Sequence, residues 1–407
     1  MNKINLPKSV SYILDKLNEN GYDAYIVGGC VRDYLLGLCP HDWDITTSAT
    51  PSEIKKVFDH TIATGEKFGT ITVSVHDITP HEYFEVTTFR SESTYSDGRR
   101  PDAVTFGKSV KEDLKRRDLT INALAYNEKE GLIDLFGGKN DIKNKIIRCV
   151  GNPDERIKED ALRILRAIRF MVKFNFDIEE NTLTALKNNV ELIANVSKER
   201  VRVELISILE NKIEPQKYRK IKFIFNYLFK IKQLNRSENK DEIKFLIEKT
   251  IWSDLNYKVK LSRVLGLLYS DTNDIQFWLT SNRYSNEEVS TILNLIKLER
   301  DKKLKQDYSA HYMRILLSKY PYSDLELYFS STNGKYSYNN LLENAKYPHS
   351  LKDLVIKGDD VLLCDISDKQ KGECLKYLLE KVLLCPDFNN VSDLTTFIKE
   401  YKVINNL

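Results

Sequence analysis

Two aspartates separated by a single residue are the first candidates for catalytic chemistry in this sequence. Asp42 and Asp44 belong to the run DWDI, which we predict to be a β-strand. Side chains two residues apart on a strand point to the same side, so both carboxylates should face one position. Carboxylate oxygens on a rigid element suit Mg²⁺, which leaves its other coordination positions to water and substrate phosphates. Solvated strand ends have the same pattern, so the motif alone leaves both interpretations open.

A third acid, Glu85, is a further candidate for a catalytic residue. It lies in EYFEVTTFR, a second predicted strand, and could complete the metal site. A strand glutamate that pairs with an arginine such as Arg90 would explain Glu85 equally well. Both interpretations of this residue stay open at the level of the sequence.

Glycines and arginines near these acids are candidates for binding phosphate groups. Gly28 and Gly29 end a β-rich run and open a helix, where their backbone N–H groups could approach a phosphate. Arg32 could add a guanidinium fork to that site. Arg117, in the run KRRDLTINALA, could hold a triphosphate or a ribose together with its neighbour Arg116. A purely structural turn and a surface salt-bridge cluster are the respective alternatives.

The run EDALRILRAIRF has the spacing of a helix with one apolar and one charged face. Asp160 and Arg163 are three residues apart and should be neighbours on the charged face. Arg166 lies on the same face and Arg169 on its flank, so this side should face a cleft. Solvated arginines beside a helical ion pair are the alternative, although Arg169 has no partner within the run. The predicted apolar stripe consists of Ala161, Ile164, Leu165, Ile168, Met171 and Val172.

The elements that must position these residues fall into two regions. Between about residues 24 and 125, short β-rich runs alternate with turns and begin in the order strand, helix, strand. The runs VRDYLLG and PSEIKKVF have helical spacing, with Thr50 or Ser52 as the cap of the second helix. From Pro153 onward, long helical patterns dominate. We therefore predict an α+β fold with an N-terminal mixed sheet and an all-helical C-terminal two-thirds.

One segment of the helical region, residues 212–249, has a basic composition. It contains eleven lysines and arginines against five acidic residues. Such a segment could grip an RNA backbone, whereas an amphipathic helix with a solvated lysine face would have the same composition. The aromatic residues interleaved with these charges are Tyr218, Phe223, Phe225, Tyr227 and Phe229.

The overall composition excludes several classes of protein. Of the 407 residues, 42% are hydrophobic and 30% charged, which is typical of a globular protein and not of a disordered chain. A net charge of +3 creates no global field toward nucleic acid, so any basic site must be local. The six cysteines and six histidines form neither CxxC nor HExxH, which argues against a zinc site, a disulfide framework and a histidine-based metallohydrolase. No signal peptide and no apolar stretch of ~20 residues is present, which predicts a cytoplasmic protein without membrane contact and says nothing about its oligomeric state.

Nine motifs, taken in order, resemble those of the class II tRNA nucleotidyltransferases, the CCA-adding enzymes of the DNA polymerase β superfamily. They are GGCVRD, DWDI, TGEKFGTITV, VTTFR, DGRRP, KRRDLTINALA, DLFGG, EDALRILRAIRF and SKERVRVEL. The resemblance is nearly continuous from Leu6 to Leu209 and returns in the tail segment DLVIKGDDVL. It implies a mixed-sheet nucleotidyltransferase head followed by all-helical neck, body and tail domains. We expect these domains at residues 1–147, 148–211, 212–300 and 301–407, with the nucleotide-selecting helix in the neck and tRNA bound by the tail.

The resemblance also implies a reaction, its partners and a set of residues. The 3′-hydroxyl of the tRNA acceptor arm would attack the α-phosphate of CTP or ATP and release pyrophosphate, with Mg²⁺ on Asp42 and Asp44. Asp160 and Arg163 would form a protein template that selects the base, because an arginine beside an aspartate complements the edges of cytosine and adenine. The implied nucleotide-binding residues are Gly28, Gly29, Arg32, Arg117, Asp160, Arg163, Arg166 and Arg169.

Other activities fit parts of the same pattern. Bacterial poly(A) polymerases share such a head, but after the two aspartates this chain reads ATGEKFGTITV, as the CCA-adding type does. Relatives that add only CC or only the final A are closer alternatives. The run YSDGRRP, residues 95–101, resembles the flexible loop that CC-adding enzymes lack, which favours full CCA or A-only addition. A catalytically silent RNA-binding adaptor would have no need of two acids facing RNA phosphates.

Overall fold

The computed structural model describes residues 4–75, 82–92, 104–107, 109–231, 240–301, 309–332 and 335–405. The chain divides into two compact units, Met1–Lys240 and Asp241–Leu407. The first unit contains a mixed β-sheet with its helices, and the described part of the second unit is built from helices. This architecture confirms the predicted α+β fold, whereas the four domain boundaries stay predictions.

The first unit is organised around a seven-stranded sheet. The strands of the described residues are β1 (Ala24–Val27), β2 (Ile45–Thr47), β3 (Thr61–Gly65), β4 (Thr70–Val75), β5 (Glu82–Thr88), β6 (Arg90–Glu92), β7 (Val104–Phe106), β8 (Leu124–Asn127), β9 (Gly131–Asp134), β10 (Ile146–Ile147) and β11 (Asp177–Ile178). The sheet has the order β3-β4-β5-β2-β1-β8-β9. Its β2 and β5 run parallel, and the other neighbouring pairs are antiparallel. Separate pairs are formed by β6 with β7 and by β10 with β11.

Side chains on β5 alternate between a buried side and an open side of the sheet. Phe84 and Val86 are buried, whereas Tyr83 and Glu85 are exposed. Successive residues of a strand point to opposite faces, so a sheet covered on one side has this alternation. The open side of the sheet is where polar residues of this strand face solvent.

Helices of the first unit begin where the sequence supplies caps and prolines. They are α1 (Lys8–Glu19), α2 (Gly29–Leu35), α3 (Pro51–Val57), α4 (Val110–Lys115), α5 (Gly138–Asn144), α6 (Pro153–Glu159), α7 (Leu162–Phe174), α8 (Glu180–Asn188), α9 (Lys198–Leu209) and α10 (Pro215–Leu228). Thr50 is the residue that caps α3, and the Glu53 carboxylate accepts hydrogen bonds from its N–H and hydroxyl groups. The predicted order of strand, helix, strand is confirmed by β1, α2 and β2.

Three details differ from the predictions made from the sequence. The strand β2 begins only at Ile45, so the two aspartates lie in the segment just before it. The helix predicted through EDALRILRAIRF is interrupted between Glu159 and Leu162, because the Asp160 carboxylate accepts a hydrogen bond from the Leu162 N–H group at 3.1 Å. Aspartate competes with the helical backbone in this way, and it caps the start of α7. The C-terminal two-thirds also contains the two-residue strand β11.

The remaining helices build two hydrophobic cores in the second unit. They are α11 (Lys240–Trp252), α12 (Tyr257–Leu268), α13 (Thr272–Ser281), α14 (Asn286–Arg300), α15 (Ala310–Lys319), α16 (Tyr322–Ser331), α17 (Lys335–Asn344), α18 (Gly358–Leu362), α19 (Asp368–Leu384) and α20 (Val391–Ile404). One core contains Leu295, Leu316 and Phe329, and the other contains Cys374 and Leu378. Among the described residues, no helix is both long and apolar enough to cross a membrane.

The basic segment at residues 212–249 uses several of its aromatic residues for packing. Tyr218, Phe225 and Phe229 are at most 2% exposed. The ring of Phe225 stacks on both of the others, at centroid distances of 5.5 and 6.4 Å. These three residues therefore support the interpretation of an amphipathic helix with a solvated basic face.

Candidate active site

The turn between β1 and α2 lies directly against an arginine from a distant part of the chain. Gly28 has a φ of 78°, and a Cβ atom added to it would meet Arg117 Nη1 at 2.8 Å. Both the positive φ and the close approach require glycine at this position. The structure thus joins the GG turn to the KRRD motif, which are about 90 residues apart in sequence.

The two aspartates lie beside this turn, and their side chains are exposed to solvent. The Asp44 carbonyl oxygen accepts a hydrogen bond of 3.0 Å from the Val27 N–H group, which ties the segment to the end of β1. Restricted solvation raises the pKa of the Asp44 carboxyl; the Asp42 carboxylate adds to this effect and Arg117 opposes it. Two carboxylates that repel each other at close range form a site that a cation would stabilise.

Glu85 lies near the aspartates without forming a three-acid cluster. The parallel register pairs Ile45 with Val86, so Asp44 and Glu85 each come one residue before this pair. Within the described ranges, no three or more His, Cys, Asp or Glu side chains gather at one point where a metal ion would bind. Participation of Glu85 in a metal site therefore stays a prediction.

A buried carboxylate holds the two adjacent arginines of the KRRD motif. Asp113 on α4 is fully buried and accepts hydrogen bonds from Arg116 at 2.7 Å and from Arg117 at 3.2 Å. Burial alone would raise the pKa of Asp113, but the two guanidinium groups lower it below its ordinary value. The Arg117 Nε atom is buried and has no hydrogen-bond partner among the described residues. Arg117 is therefore held by Asp113 through its Nη2 atom, and its Nε atom is an unpaired donor among the described residues.

Arg32 makes more contacts within the protein than the sequence indicates. Only 6% of the residue is exposed, and its guanidinium donates to Asn122 at 2.6 Å and to Asp33 at 2.8 Å. Its Cζ atom also lies 5.0 and 4.9 Å from the ring centroids of Phe170 and Phe174. Arg32 thus connects α2 to α7, and its role in nucleotide binding stays a prediction.

Asp118 connects the KRRD motif to α7. It is buried and accepts hydrogen bonds from the Leu119 N–H group, from Asn122 and, at 2.7 Å, from Arg166 Nε. Burial alone would raise the pKa of Asp118, but Arg166 and the hydrogen bond from Asn122 lower it to about 2. Arg166 on α7 is thus paired with the head and is not a solvated surface arginine.

Asp160 and Arg163 have different side-chain partners, so the helical ion pair that was the alternative interpretation is not among the described contacts. Asp160 instead accepts a bidentate pair of hydrogen bonds from Arg200 on α9, at 2.7 and 3.3 Å. Arg163 is 8% exposed and donates to Glu159 at 2.7 Å and to the carbonyl oxygens of Arg156 and Arg116 at 3.0 and 3.1 Å.

Arg169 has a partner that the local sequence could not reveal. Its Nε atom lies 2.7 Å from Oε2 of Glu204, so the two side chains form an ion pair. The angle at the N–H group does not meet the criterion for a hydrogen bond. Its Cζ atom also lies 4.4 Å from the ring centroid of Phe170. Glu204 is only 7% exposed and belongs to α9, one helical turn after Arg200. Arg169 thus has no partner within its own run, as the sequence indicates, and Glu204 supplies one from α9.

Known proteins resemble the chain over nearly its whole length. Residues 24–148 match the family described as "Poly A polymerase head domain", and residues 175–215 match "Probable RNA and SrmB- binding site of polymerase A". The CCA-adding enzyme of Ligilactobacillus salivarius is 42% identical over 75% of each chain. That of Staphylococcus epidermidis is 35% identical over 96% of each chain. The chain belongs to the CCA-adding enzyme family.

A solved structure supports the same assignment. The crystal structure of the Bacillus stearothermophilus CCA-adding enzyme in complex with CTP has a TM-score of 0.78 and 25% sequence identity, and the match covers 98% of both chains. This chain is accordingly a tRNA nucleotidyltransferase of the polymerase β superfamily, as the motifs predicted.

The structure of this CCA-adding enzyme brings together part of the predicted set and adds residues to it. Gly28, Asp44 and Arg117 lie around one position, and Asp42 couples electrostatically to Asp44. The residues that sequence reasoning missed are the acids that hold the arginines, together with the partner of Asp160: Asp113, Asp118, Glu204 and Arg200. Of these, Arg200 and Glu204 do fall in the motif SKERVRVEL, which was a signal for their importance but not for their partners.

Proposed function

We propose that this protein adds C, C and A to the 3′ end of tRNA from CTP and ATP, with Mg²⁺ held by Asp42 and Asp44. The observation that carries the proposal is the 35% identity to a CCA-adding enzyme across 96% of the chain. A cytoplasmic location is the finer part of the proposal and rests on the substrates tRNA, CTP and ATP.

The donor set of the two aspartates fits a divalent cation. Both are oxygen ligands, and their mutual repulsion gives a bound cation a favourable electrostatic energy. When bound, Mg²⁺ lowers the pKa of the attacking hydroxyl and neutralises the leaving pyrophosphate. The Arg117 guanidinium, whose Nη1 atom lies beside the backbone of Gly28 and whose side chain is 20% exposed, would donate to the triphosphate or ribose.

Other arginines contribute by position. Arg32 holds α2 against α7, and Arg166 is oriented by Asp118. Arg169 is oriented by Glu204 at 2.7 Å. We infer that these three guanidinium groups keep α7 in place and supply positive potential for the nucleotide.

Counting donors and acceptors supports Asp160 and Arg163 as the residues that select the base. A guanidinium has five N–H donors, and three are used by the bonds of Arg163, so two remain among the described contacts. Cytosine needs two donors, at O2 and N3, and adenine needs one, at N1. The Asp160 carboxylate accepts three hydrogen bonds of about four that it can accept, which leaves one position for the amino group of either base.

The test of the reaction uses tRNA that lacks its 3′ end. The protein is incubated with this tRNA and Mg²⁺, with CTP alone, ATP alone or both, and product lengths are read on a sequencing gel. Full CCA addition requires both nucleotides, whereas CC-adding and A-adding enzymes use one. Asp42→Ala and Asp44→Ala should each abolish addition while tRNA binding persists, because they remove metal ligands and no RNA contact. Turnover near that of the wild type in either variant would contradict the metal assignment.

The test of base selection compares kcat/KM for CTP, ATP, UTP and GTP on matched tRNA ends. Asp160→Ala should relax selection against UTP and GTP, because it removes the acceptor for the amino group. Arg166→Ala should raise KM for all four nucleotides alike. An equal loss for all four nucleotides in Asp160→Ala would show that Asp160 does not read the base.

A further inference from the structure

Helix α9 contacts α7 and the residue before it through two ion pairs. Arg200 on α9 binds Asp160 just before α7, and Glu204 lies 2.7 Å from Arg169 within α7. Arg200 and Glu204 are one helical turn apart, so they lie on the same face of α9. Along α9 the cation Arg200 comes before the anion Glu204. In the segment that they contact, the anion Asp160 comes before the cation Arg169.

We propose that Arg200 is a positioning residue for base selection, which holds the Asp160 carboxylate so that a single acceptor position faces the nucleotide. The inference rests on the proposed role of Asp160. Arg200 would contact no substrate itself and would act through the orientation of the carboxylate.

The contacts of Asp160 specify that orientation. Asp160 Oδ1 accepts from the Leu162 N–H group at 3.1 Å and from Arg200 Nη1 at 3.3 Å. Asp160 Oδ2 accepts from Arg200 Nη2 at 2.7 Å. Both lone-pair positions of Oδ1 are therefore used, and Oδ2 keeps one. A base with an amino group at the matching position can use it, whereas a carbonyl oxygen placed there meets a negative charge.

The ion pair of Arg200 and Asp160 is largely buried, and a part of both side chains is accessible to a ligand. The side chain of Arg200 is 24% exposed and that of Asp160 is 16% exposed. A guanidinium that binds both oxygens of a carboxylate fixes its plane as well as its position, which a lysine cannot do. Without Arg200, the Leu162 N–H group is the remaining hydrogen-bond donor to the carboxylate among the described residues, and rotation of the carboxylate would present acceptors in several directions.

The experiment measures discrimination, as the ratio of kcat/KM for CTP over UTP and for ATP over GTP, on matched tRNA ends. Arg200→Ala should lower both ratios by about tenfold, the size expected from losing one oriented charge-assisted hydrogen bond. Arg200→Lys should lower them as well, because it keeps the charge without the fork. Guanidinium ions at concentrations that do not denature the protein should restore the ratios for Arg200→Ala, an effect that a loss of structure would not produce.

Lys198→Ala is the matched control. Lys198 is an exposed cation in the same turn of α9, so its removal tests the effect of charge on this helix alone. The control should keep the wild-type ratios. Should Arg200→Ala fail to fold, Arg200→Lys carries the test.

The outcomes separate this inference from the proposed function. If Asp160→Ala relaxes selection and both Arg200 variants keep it, Arg200 does not position the carboxylate and the inference is overturned while the role of Asp160 stands. If Asp160→Ala itself leaves selection unchanged, the role of Asp160 fails and the inference fails with it. Equal loss of discrimination in Lys198→Ala would also overturn the inference, because it would point to charge rather than orientation.

Discussion

Replacement of Asp118 by asparagine should destabilise the first unit by roughly 2 kcal/mol at neutral pH. Burial alone would raise the pKa of Asp118, but Arg166 and the bond from Asn122 lower it from its ordinary value of 3.8 to about 2. This difference corresponds to roughly 2 kcal/mol of stabilisation of the folded state by the carboxylate. Asparagine keeps the size of the side chain and removes its charge, so the Arg166 guanidinium loses the acceptor 2.7 Å from its Nε atom.

The pH dependence gives the prediction its sign. Because the folded-state pKa of Asp118 is lower than the unfolded one, the carboxylate stabilises the fold at pH values above about 4. This stabilisation is lost as the pH falls from about 4 to about 2, where the carboxylate becomes protonated in both states. The difference in unfolding free energy between the wild type and Asp118→Asn should therefore shrink across that range.

The assay is urea unfolding of the full chain, followed by tryptophan fluorescence. Trp43 is the single tryptophan of Met1–Lys240, so a Trp252→Phe, Trp278→Phe background reports on the first unit. Asp59→Asn, at an exposed position, is the control and should leave the midpoint unchanged. A difference for Asp118→Asn that stays constant from pH 7 to about pH 2.5 would refute the reasoning, because the stabilisation would then not come from the charge.

Two more predictions concern the nucleotide site and the loop. Gly28→Ala should cost about 1 to 3 kcal/mol through backbone strain and should also raise KM for CTP and ATP, because the new Cβ displaces Arg117. Gly21→Ala, at a φ of 82° with nothing within 4 Å of a Cβ, should cost stability alone, and an equal rise in KM in both variants would contradict the contact with Arg117. Deletion of residues 95–101, which lie outside the described residues, should block addition of the terminal A and leave C addition intact, as gel analysis of product lengths would show. Equal loss of both additions would make this segment a general structural element.

Much of the fold follows from local patterns in the sequence. The apolar stripe predicted for the run at residues 161–172 is fully buried in the structure. Thr50 caps α3, and the alternation of β-branched and polar residues in EYFEVTTFR becomes β5. These features depend on backbone propensity and on periodicity, which neighbouring residues determine together.

The partners of the charged residues did not follow from the same patterns. Helical spacing predicted that Asp160 and Arg163 are neighbours, but the Asp160 side chain caps α7 and binds Arg200. It also left Arg169 without a partner, whereas Glu204 from α9 supplies one. An ion pair needs only that two side chains meet in space, and the packing of one helix against another decides this.

The sequence by itself determined which residue types are present and where the elements begin, because capping, periodicity and motif spacing act over a few residues. It therefore identified the two aspartates, the glycine turn and the arginines of α7 as the chemical material of the site. Only the tertiary structure decided that Arg117 lies near Gly28 and Asp44, that Asp118 binds Arg166 within α7, and that Arg200 binds Asp160 just before α7. Hydrogen bonds and ion pairs form only where the two groups lie within about 4 Å of each other, so their partners are set by the packing of distant segments, which no local pattern records.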